Sequence, residues 1–121
     1  MTPATIKRSS LAQIVAQAER EFPDECCGFI IGDMATEEVR PIANIQNQMH
    51  AEDPTEFVRD ARTAFLMDPK AHLAVMNEAA GQDATAAAFW QQYLTLDSTS
   101  GWSEEARRRL AALAGANKNI Q

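Results

Sequence analysis

The sequence predicts an α+β fold, in which a small mixed sheet with flanking helices is closed by a C-terminal pair of helices. The apolar run Cys26 to Ile31 lies between a proline and a glycine turn, and it has the length of a strand buried on both faces. The stretch before this run and the stretches after residue 68 repeat their apolar residues at helical spacing. A chain of 121 residues is long enough for one core, so residues 1–121 are expected to form a single domain.

A helix is predicted before this strand. Ser10 has the position of an N-cap, and Gln13 stands where a capping box would be completed. Pro23 is expected to end the helix, because the residue before a proline disfavours helical backbone angles. The apolar residues between these ends form one stripe that should face the core: Leu11, Ile14, Val15, Ala18 and Phe22.

A second strand is predicted over residues 38–46, where the side chains alternate between polar and apolar. Pro41 lacks the N–H that a ladder needs, so this strand should lie at an edge or carry a bulge. Residues 47–55 are predicted to form a polar loop, and residues 56–67 to form one or two extended segments. Four apolar residues should anchor these segments: Phe57, Val58, Phe65 and Leu66.

Asp68 and Pro69 predict the start of a further helix, since an N-cap carboxylate precedes a proline at the first helical position. Gly81 is expected to end this helix, because glycine readily adopts the left-handed conformation that follows a helix. Three residues of the helix should contribute to the core: Leu73, Met76 and Ala80.

Two last helices are predicted within residues 84–114, separated by a turn over residues 97–101. Asp83 is expected to cap the first of them and Ser103 the second, which Gly115 should end. The pair carries more large apolar side chains than two short helices can bury between themselves: Phe89, Trp90, Tyr93, Leu94 and Trp102.

Composition narrows the classes of partner. The formal net charge of −6 argues against nucleic acid, because phosphate binding needs clustered cations. No apolar run reaches transmembrane length, so no membrane partner is expected. The only two cysteines, Cys26 and Cys27, are adjacent and poorly placed to form a disulfide with each other. This cysteine usage fits a reducing compartment, and the cytoplasm is the expected location.

The stretch Pro23 to Gly32 reads P-D-E-C-C-G-F-I-I-G, and it resembles the N-terminal part of the bacterial JAMM/MPN metallopeptidase-like family, the JAB domain. The resemblance continues through residues 39–44, Phe57 and residues 63–69, and it covers about residues 5–81. It implies an MPN-like fold for this half of the chain. It also implies that Glu25 is the general acid/base beside a zinc-bound water.

The family's zinc signature, H-x-H-x(7)-S-x-x-D, is not complete in this chain. Its two histidines and its aspartate hold zinc in the family, and no H-x-H pair occurs here. One alignment has the spacing of the signature and places Ser103 on its serine, but Tyr93, Thr95 and Ala106 occupy the three ligand positions. We therefore expect no zinc cofactor, with Glu25 and Ser103 as the remaining catalytic candidates by resemblance.

Two other patterns in the sequence indicate a different site or a different fold. The loop residues His50, Glu52 and Asp53 could bind a metal together with Glu25, although acids near a lone histidine are usually solvated. Residues 84–114 resemble the closing helices of a tetratricopeptide-type repeat, with a W-x-x-Y-L-x-L-D end, a serine-rich turn and an E-A-R-x-x-L helix. A single such pair cannot build a solenoid, because stacked neighbours supply its core.

The sequence therefore predicts a degenerate or truncated JAB relative that acts by binding protein rather than by catalysis. The family resemblance suggests ubiquitin-like or sulfur-carrier proteins as the partner class. Two alternatives stay open, a zinc-dependent isopeptidase and a tetratricopeptide-like helical interaction module. A homodimer is also expected, because C-terminal helices would leave a sheet edge unpaired and aromatic surface to be shared between chains.

Overall fold

The computed structural model describes residues 5–32 and 35–120, with the backbone alone for residues 116–120. The elements follow in the order α1 (Arg8–Glu21), β1 (Cys27–Ile31), β2 (Glu38–Ile42), α2 (Gln46–Glu52), α3 (Pro69–Ala79), α4 (Asp83–Leu96) and α5 (Gly101–Ile120). The predicted α+β class is confirmed. The chain divides into two compact units, residues 1–68 and residues 69–121, and the prediction of one domain stays a prediction.

The sheet of the first unit is an antiparallel pair rather than the predicted mixed sheet. Within the described part of the chain it contains only β1 and β2, which are paired from Cys27 opposite Ile42 to Ile31 opposite Glu38. Pro41 lies opposite Gly28 in this ladder. A Cβ on Gly28 would lie 2.5 Å from the carbonyl oxygen of Arg40, so the close approach of the two strands requires glycine here.

The prediction that the apolar run is buried on both faces is wrong. Only Cys27 is buried in β1, and Ile30 is 38% exposed. A two-stranded ribbon offers neighbours to few of its side chains, so a strand with an apolar sequence can still be largely exposed. The predicted second strand is also shorter than expected and ends at Ile42.

Helix α1 is confirmed, but its start and its buried face differ from the prediction. Ser10 is not the N-cap, because the helix begins at Arg8 and the Ser10 hydroxyl donates a hydrogen bond to the carboxylate of Glu37 instead. The polar residue Gln17 is buried, and its Nε2 donates to the carbonyl oxygen of Cys27 at 3.0 Å. The predicted core stripe is largely exposed, with Leu11 at 51%, Val15 at 48% and Phe22 at 81%.

The predicted loop after β2 contains a helix, α2. Asn44 precedes this helix and stabilises its first turn, because its Oδ1 accepts a hydrogen bond from the N–H of Gln46 at 3.0 Å. The segment predicted to be extended, residues 56–67, forms turns, bends and irregular backbone, with one bridge between Asn44 and Met67. Of the predicted anchors in this region, Val58 is 73% exposed and Phe65 is 52% exposed.

The second unit is a succession of three helices in which α3 packs against α4 and α4 against α5. The start of α3 at Pro69 is confirmed, and so is Gly81 as the left-handed residue after it, with φ at 76°. The predicted core residues of α3 are wrong: Leu73 and Met76 are 43% and 48% exposed. Smaller residues are buried in their place, namely Ala71, Ala74 and Val75.

The helical prediction for residues 84–95 is confirmed by α4, although Gln82 rather than Asp83 precedes its first residue. Ser100 takes the capping role expected of Ser103, because its hydroxyl accepts hydrogen bonds from the N–H groups of Trp102 and Ser103. Gly115 does not end α5, whose backbone continues to Ile120. None of the described helices is long and apolar enough to cross a membrane.

Candidate functional site

Glu25 stands in the short connection between α1 and β1, with its backbone fixed on both sides. Its N–H donates to the carbonyl oxygen of Ala61 at 2.7 Å, and its own carbonyl oxygen accepts from Nδ2 of Asn44 at 2.8 Å. The side chain is exposed and lines an open cleft. The residue that the family resemblance singles out is therefore held by its main chain while its carboxylate faces solvent.

Asn44 joins three segments of the first unit through its side-chain amide. Its Nδ2 donates to the carbonyl oxygens of Glu25 and Ala64, and its Oδ1 accepts from the N–H groups of Gln46 and Leu66, each at 3.0 Å. An amide side chain can make four such bonds, and here all four are directed at backbone groups. Asn44 thus fixes the position of Glu25 relative to the segment that forms the opposite wall of the cleft.

Helix α2 supports the same segment with further polar side chains. Gln46 Nε2 donates to the carbonyl oxygen of Arg59 at 2.8 Å, and Asn47 Oδ1 accepts from the N–H of Ala61 at 2.8 Å. His50 Nδ1 lies 2.7 Å from the carbonyl oxygen of Phe57. The sequence carried a signal for this set, since amides and an imidazole at positions 46, 47 and 50 share one helical face. The sequence predicts a strand through residue 46 and a loop over residues 47–55, so it does not identify Gln46 and Asn47 as supporting residues, and it presents His50 only as a possible metal ligand.

The cleft beside Glu25 has a volume of about 480 Å³ and is open to solvent. Its lining combines two carboxylates, one guanidinium and several apolar side chains: Glu25, Gln46, Glu56, Phe57, Val58, Arg59, Thr63, Ala64 and Phe65. Val58 and Phe65 are the most exposed apolar residues of this lining. Large exposed apolar side chains beside a fixed polar group are typical of a surface that binds another protein.

The unit that contains the cleft is strongly acidic. Residues 1–68 hold 12 aspartates and glutamates against six lysines and arginines, so this unit carries the whole formal charge of −6. Some of the acids near the cleft already have local partners. Asp60 forms an ion pair with Arg62 at 2.9 Å, and hydrogen bonds from Arg62 lower the pKa of Asp60.

Comparison with known proteins decides the family. The family model for prokaryotic homologs of the JAB domain, Prok-JAB, matches residues 7–93, which is more than half of the chain. The chain belongs to the Prok-JAB family. The match includes Glu25 and every residue of the cleft, and it ends at Tyr93, before Ser103. Neither a curated protein nor a solved structure matches the chain.

The zinc that the Prok-JAB resemblance implies does not fit the side chains around Glu25. Catalytic zinc usually takes histidine, cysteine or carboxylate ligands, most often with at least one imidazole. The cleft offers only the carboxylates of Glu25 and Glu56, and the Nδ1 of His50 lies against a backbone carbonyl. Asp53 caps the N–H of Glu56 at 3.1 Å. Among the residues that the structure describes, no group of three potential ligands is placed to hold a metal.

The positions aligned with the zinc signature of the Prok-JAB relatives lie on α4 and α5. Tyr93 and Thr95 are two residues apart, so on a helix they point about 200° away from each other, whereas on a strand they would share a face. The Tyr93 hydroxyl donates to Asp97 at 2.7 Å, and the buried Ser103 hydroxyl donates to the carbonyl oxygen of Ser100 at 2.6 Å. Ser103 lies in the second unit and Glu25 in the first.

The two cysteines of this Prok-JAB chain are free, and they do not form a reactive pair. Cys27 is buried, and its thiol donates to the carbonyl oxygen of Ile42 at 3.4 Å. Burial, together with the negative charge of Glu21 and the neighbouring Cys26, raises the pKa of Cys27 to about 12. The thiol is therefore protonated at neutral pH, which makes it a poor nucleophile.

Proposed function

We propose that this Prok-JAB chain binds a segment of another protein in the cleft beside Glu25 and does not hydrolyse it. The observation that carries the proposal is the exposure of Val58 and Phe65 next to a carboxylate whose backbone is fixed. Apolar side chains on a rigid frame lose little conformational entropy when a partner covers them, so they suit a binding surface.

The side chains around Glu25 support binding better than hydrolysis. A carboxylate acts as general base on water when a metal or another charge activates that water beside it. The other charged side chains of the cleft lining are Glu56, which is itself an acid, and Arg59, whose Nη1 donates to the carbonyl oxygen of Thr63 at 3.2 Å. We propose that Glu25 contributes its charge and not proton transfer.

Ubiquitin-like and sulfur-carrier proteins are the partner class that the family resemblance suggests, and the charge of the first unit restricts the choice among them. A unit with a net charge of −6 attracts a partner that presents lysines or arginines around an apolar segment. Affinity for such a partner should fall as salt is added. We place this activity in the cytoplasm, which suits two free cysteines.

The helical unit supports a second candidate function, a helical interaction module. Helices α4 and α5 pack against each other, and each has a fully buried alanine, Ala86 in α4 and Ala106 in α5. Leu96 at the end of α4 is 75% exposed, so it marks the apolar surface that such a module would use.

One titration distinguishes the two candidates. A ubiquitin-like sulfur-carrier protein is titrated by calorimetry into the wild type and into the variants Phe65→Ser and Leu96→Ser, which remove exposed apolar side chains from different units. We expect Phe65→Ser to weaken binding at least about tenfold, because aromatic residues dominate interface energies, and Leu96→Ser to bind like the wild type. The reverse pattern would favour the helical module. No saturable binding to the wild type would contradict the proposed partner class.

A further inference from the structure

One face of α1 carries exposed apolar side chains and lies outside the cleft. Leu11, Val15 and Phe22 are 51%, 48% and 81% exposed. At 3.6 residues per turn these three lie within about 40° of one another around the helix axis. Ile6, which precedes the helix, is also exposed, at 38%. A continuous apolar stripe of this kind on a helix is normally covered by another surface.

We propose that the stripe is covered by the α1 helix of a second copy of the chain, which runs antiparallel to the first. When Leu11 lies level with the partner's Val15, a two-fold axis makes Val15 level with the partner's Leu11. Phe22 then lies toward the N-terminal end of the other helix, where Ile6 is also exposed. The stripe is therefore self-complementary in this orientation.

The charges along the stripe favour the same arrangement. Arg8 and Glu19 are both exposed, and neither forms an ion pair with any described residue. Both lie on one flank of the stripe, about 60–80° from Leu11 around the axis. In the antiparallel pair this flank faces the same flank of the other helix. Measured along the helix axis, Arg8 and the partner's Glu19 are then offset by only one residue of rise, about 1.5 Å. Because the two-fold axis repeats this arrangement, the helix pair contains two such ion pairs.

The surface differs from the one that the sequence suggested for a homodimer. The sequence predicts that the aromatic residues of the C-terminal helices are shared between chains, but Trp90 and Tyr93 are 3% and 5% exposed. They already have partners inside their unit, because Trp90 Nε1 donates to Glu78 at 2.7 Å and the two rings pack edge to face. Among the described residues, by contrast, the side chains of Leu11 and Val15 on α1 stay about half exposed and that of Phe22 mostly exposed.

Charge reversal tests the proposal without damaging the helix. Arg8→Glu places an acid in the first turn of α1 and Glu19→Arg places a base in its last turn, and the helix dipole favours both changes. Each single variant should raise the dissociation constant of the dimer about tenfold or more, because like charges then face each other. The double variant Arg8→Glu/Glu19→Arg should restore the wild-type value. Arg20→Glu changes an exposed charge on the opposite side and is the matched control.

Sedimentation velocity between low micromolar and millimolar concentration measures the outcome, with circular dichroism as the check on folding. We expect the wild type and Arg20→Glu to shift from monomer to dimer as concentration rises, and Leu11→Asp to stay monomeric. A wild type that is monomeric throughout would overturn the proposal. So would a dimer whose stability is unchanged by the single reversals, or one that the double variant fails to restore.

Discussion

Replacing Asn44 with alanine is expected to lower the free energy of opening of the first unit by about 2–3 kcal/mol. The change removes four hydrogen bonds at once, and it leaves the backbone groups of Glu25, Gln46 and Leu66 without their side-chain partner. Since Asn44 is what fixes Glu25 relative to the opposite wall of the cleft, the variant should also bind the proposed protein partner more weakly. Loss of preorganisation reduces affinity even where no contact residue is changed.

Amide hydrogen exchange measures this effect where it occurs. The N–H groups of Glu25 and Ile45 bond to the backbone oxygens of Ala61 and Leu66, so they report opening of the segment rather than the direct loss of Asn44. We expect them to exchange roughly 30–150-fold faster in Asn44→Ala. The control is Gln48→Ala, because Gln48 is an exposed residue of α2 whose Nε2 donates to the carboxylate of Glu52 at 3.2 Å. Exchange within about twofold of the wild type in both variants would disprove the role given to Asn44.

Replacing Asp97 with alanine is expected to destabilise the second unit by about 2 kcal/mol. One oxygen of its carboxylate accepts from the hydroxyls of Tyr93 and Ser100, and the other accepts from the N–H groups of Thr99 and Ser100. These bonds build the turn between α4 and α5. Fluorescence during urea unfolding isolates the effect, because both tryptophans of the chain, Trp90 and Trp102, lie in this unit.

Acid should weaken the same turn in a narrow range of pH. Partial burial acts to raise the pKa of Asp97, but the hydrogen bonds from Ser100, Tyr93 and Thr99 outweigh it and lower the pKa from 3.8 to about 2. Because the pKa of Asp97 is lower in the folded than in the unfolded state, its ionised carboxylate stabilises the fold at any pH above the unfolded-state pKa. This contribution is lost as the pH falls from about 4 to about 2. Asp97→Asn should therefore lose less stability than the wild type over this range. Equal losses in the two proteins would contradict the assignment.

Helices set by local chemistry were predictable from the sequence. Pro69 and Gly81 mark the ends of α3 through backbone preferences that need no distant partner, and the alanine-rich stretch of α4 has high intrinsic helix propensity. Helix α2 was not predictable in this way. Its side chains Gln46 and Asn47 bond to the backbone of residues 59 and 61, and the shared helical face of positions 46, 47 and 50 indicates such bonds only once a helix is assumed there.

The candidate site was predictable only in part, for a related reason. Glu25 was found through the family resemblance, but Val58 and Phe65 were expected to be core anchors because they are apolar. The segment that carries them is held from α2 by polar side chains bonded to its backbone, so its apolar side chains are not needed for packing and remain exposed. The stripe on α1 shows the same limit, since helical periodicity identifies an apolar face but not what covers it.

Cleavage of an isopeptide-linked substrate in zinc-containing buffer, compared between the wild type and Glu25→Gln, tests the proposed non-hydrolytic function most directly. Because the described side chains around Glu25 do not form a zinc site, we expect no cleavage by the wild type above the level of Glu25→Gln, and no change when a chelator is added. Cleavage by the wild type that disappears both in Glu25→Gln and on chelation would contradict the proposal and identify the chain as a zinc isopeptidase.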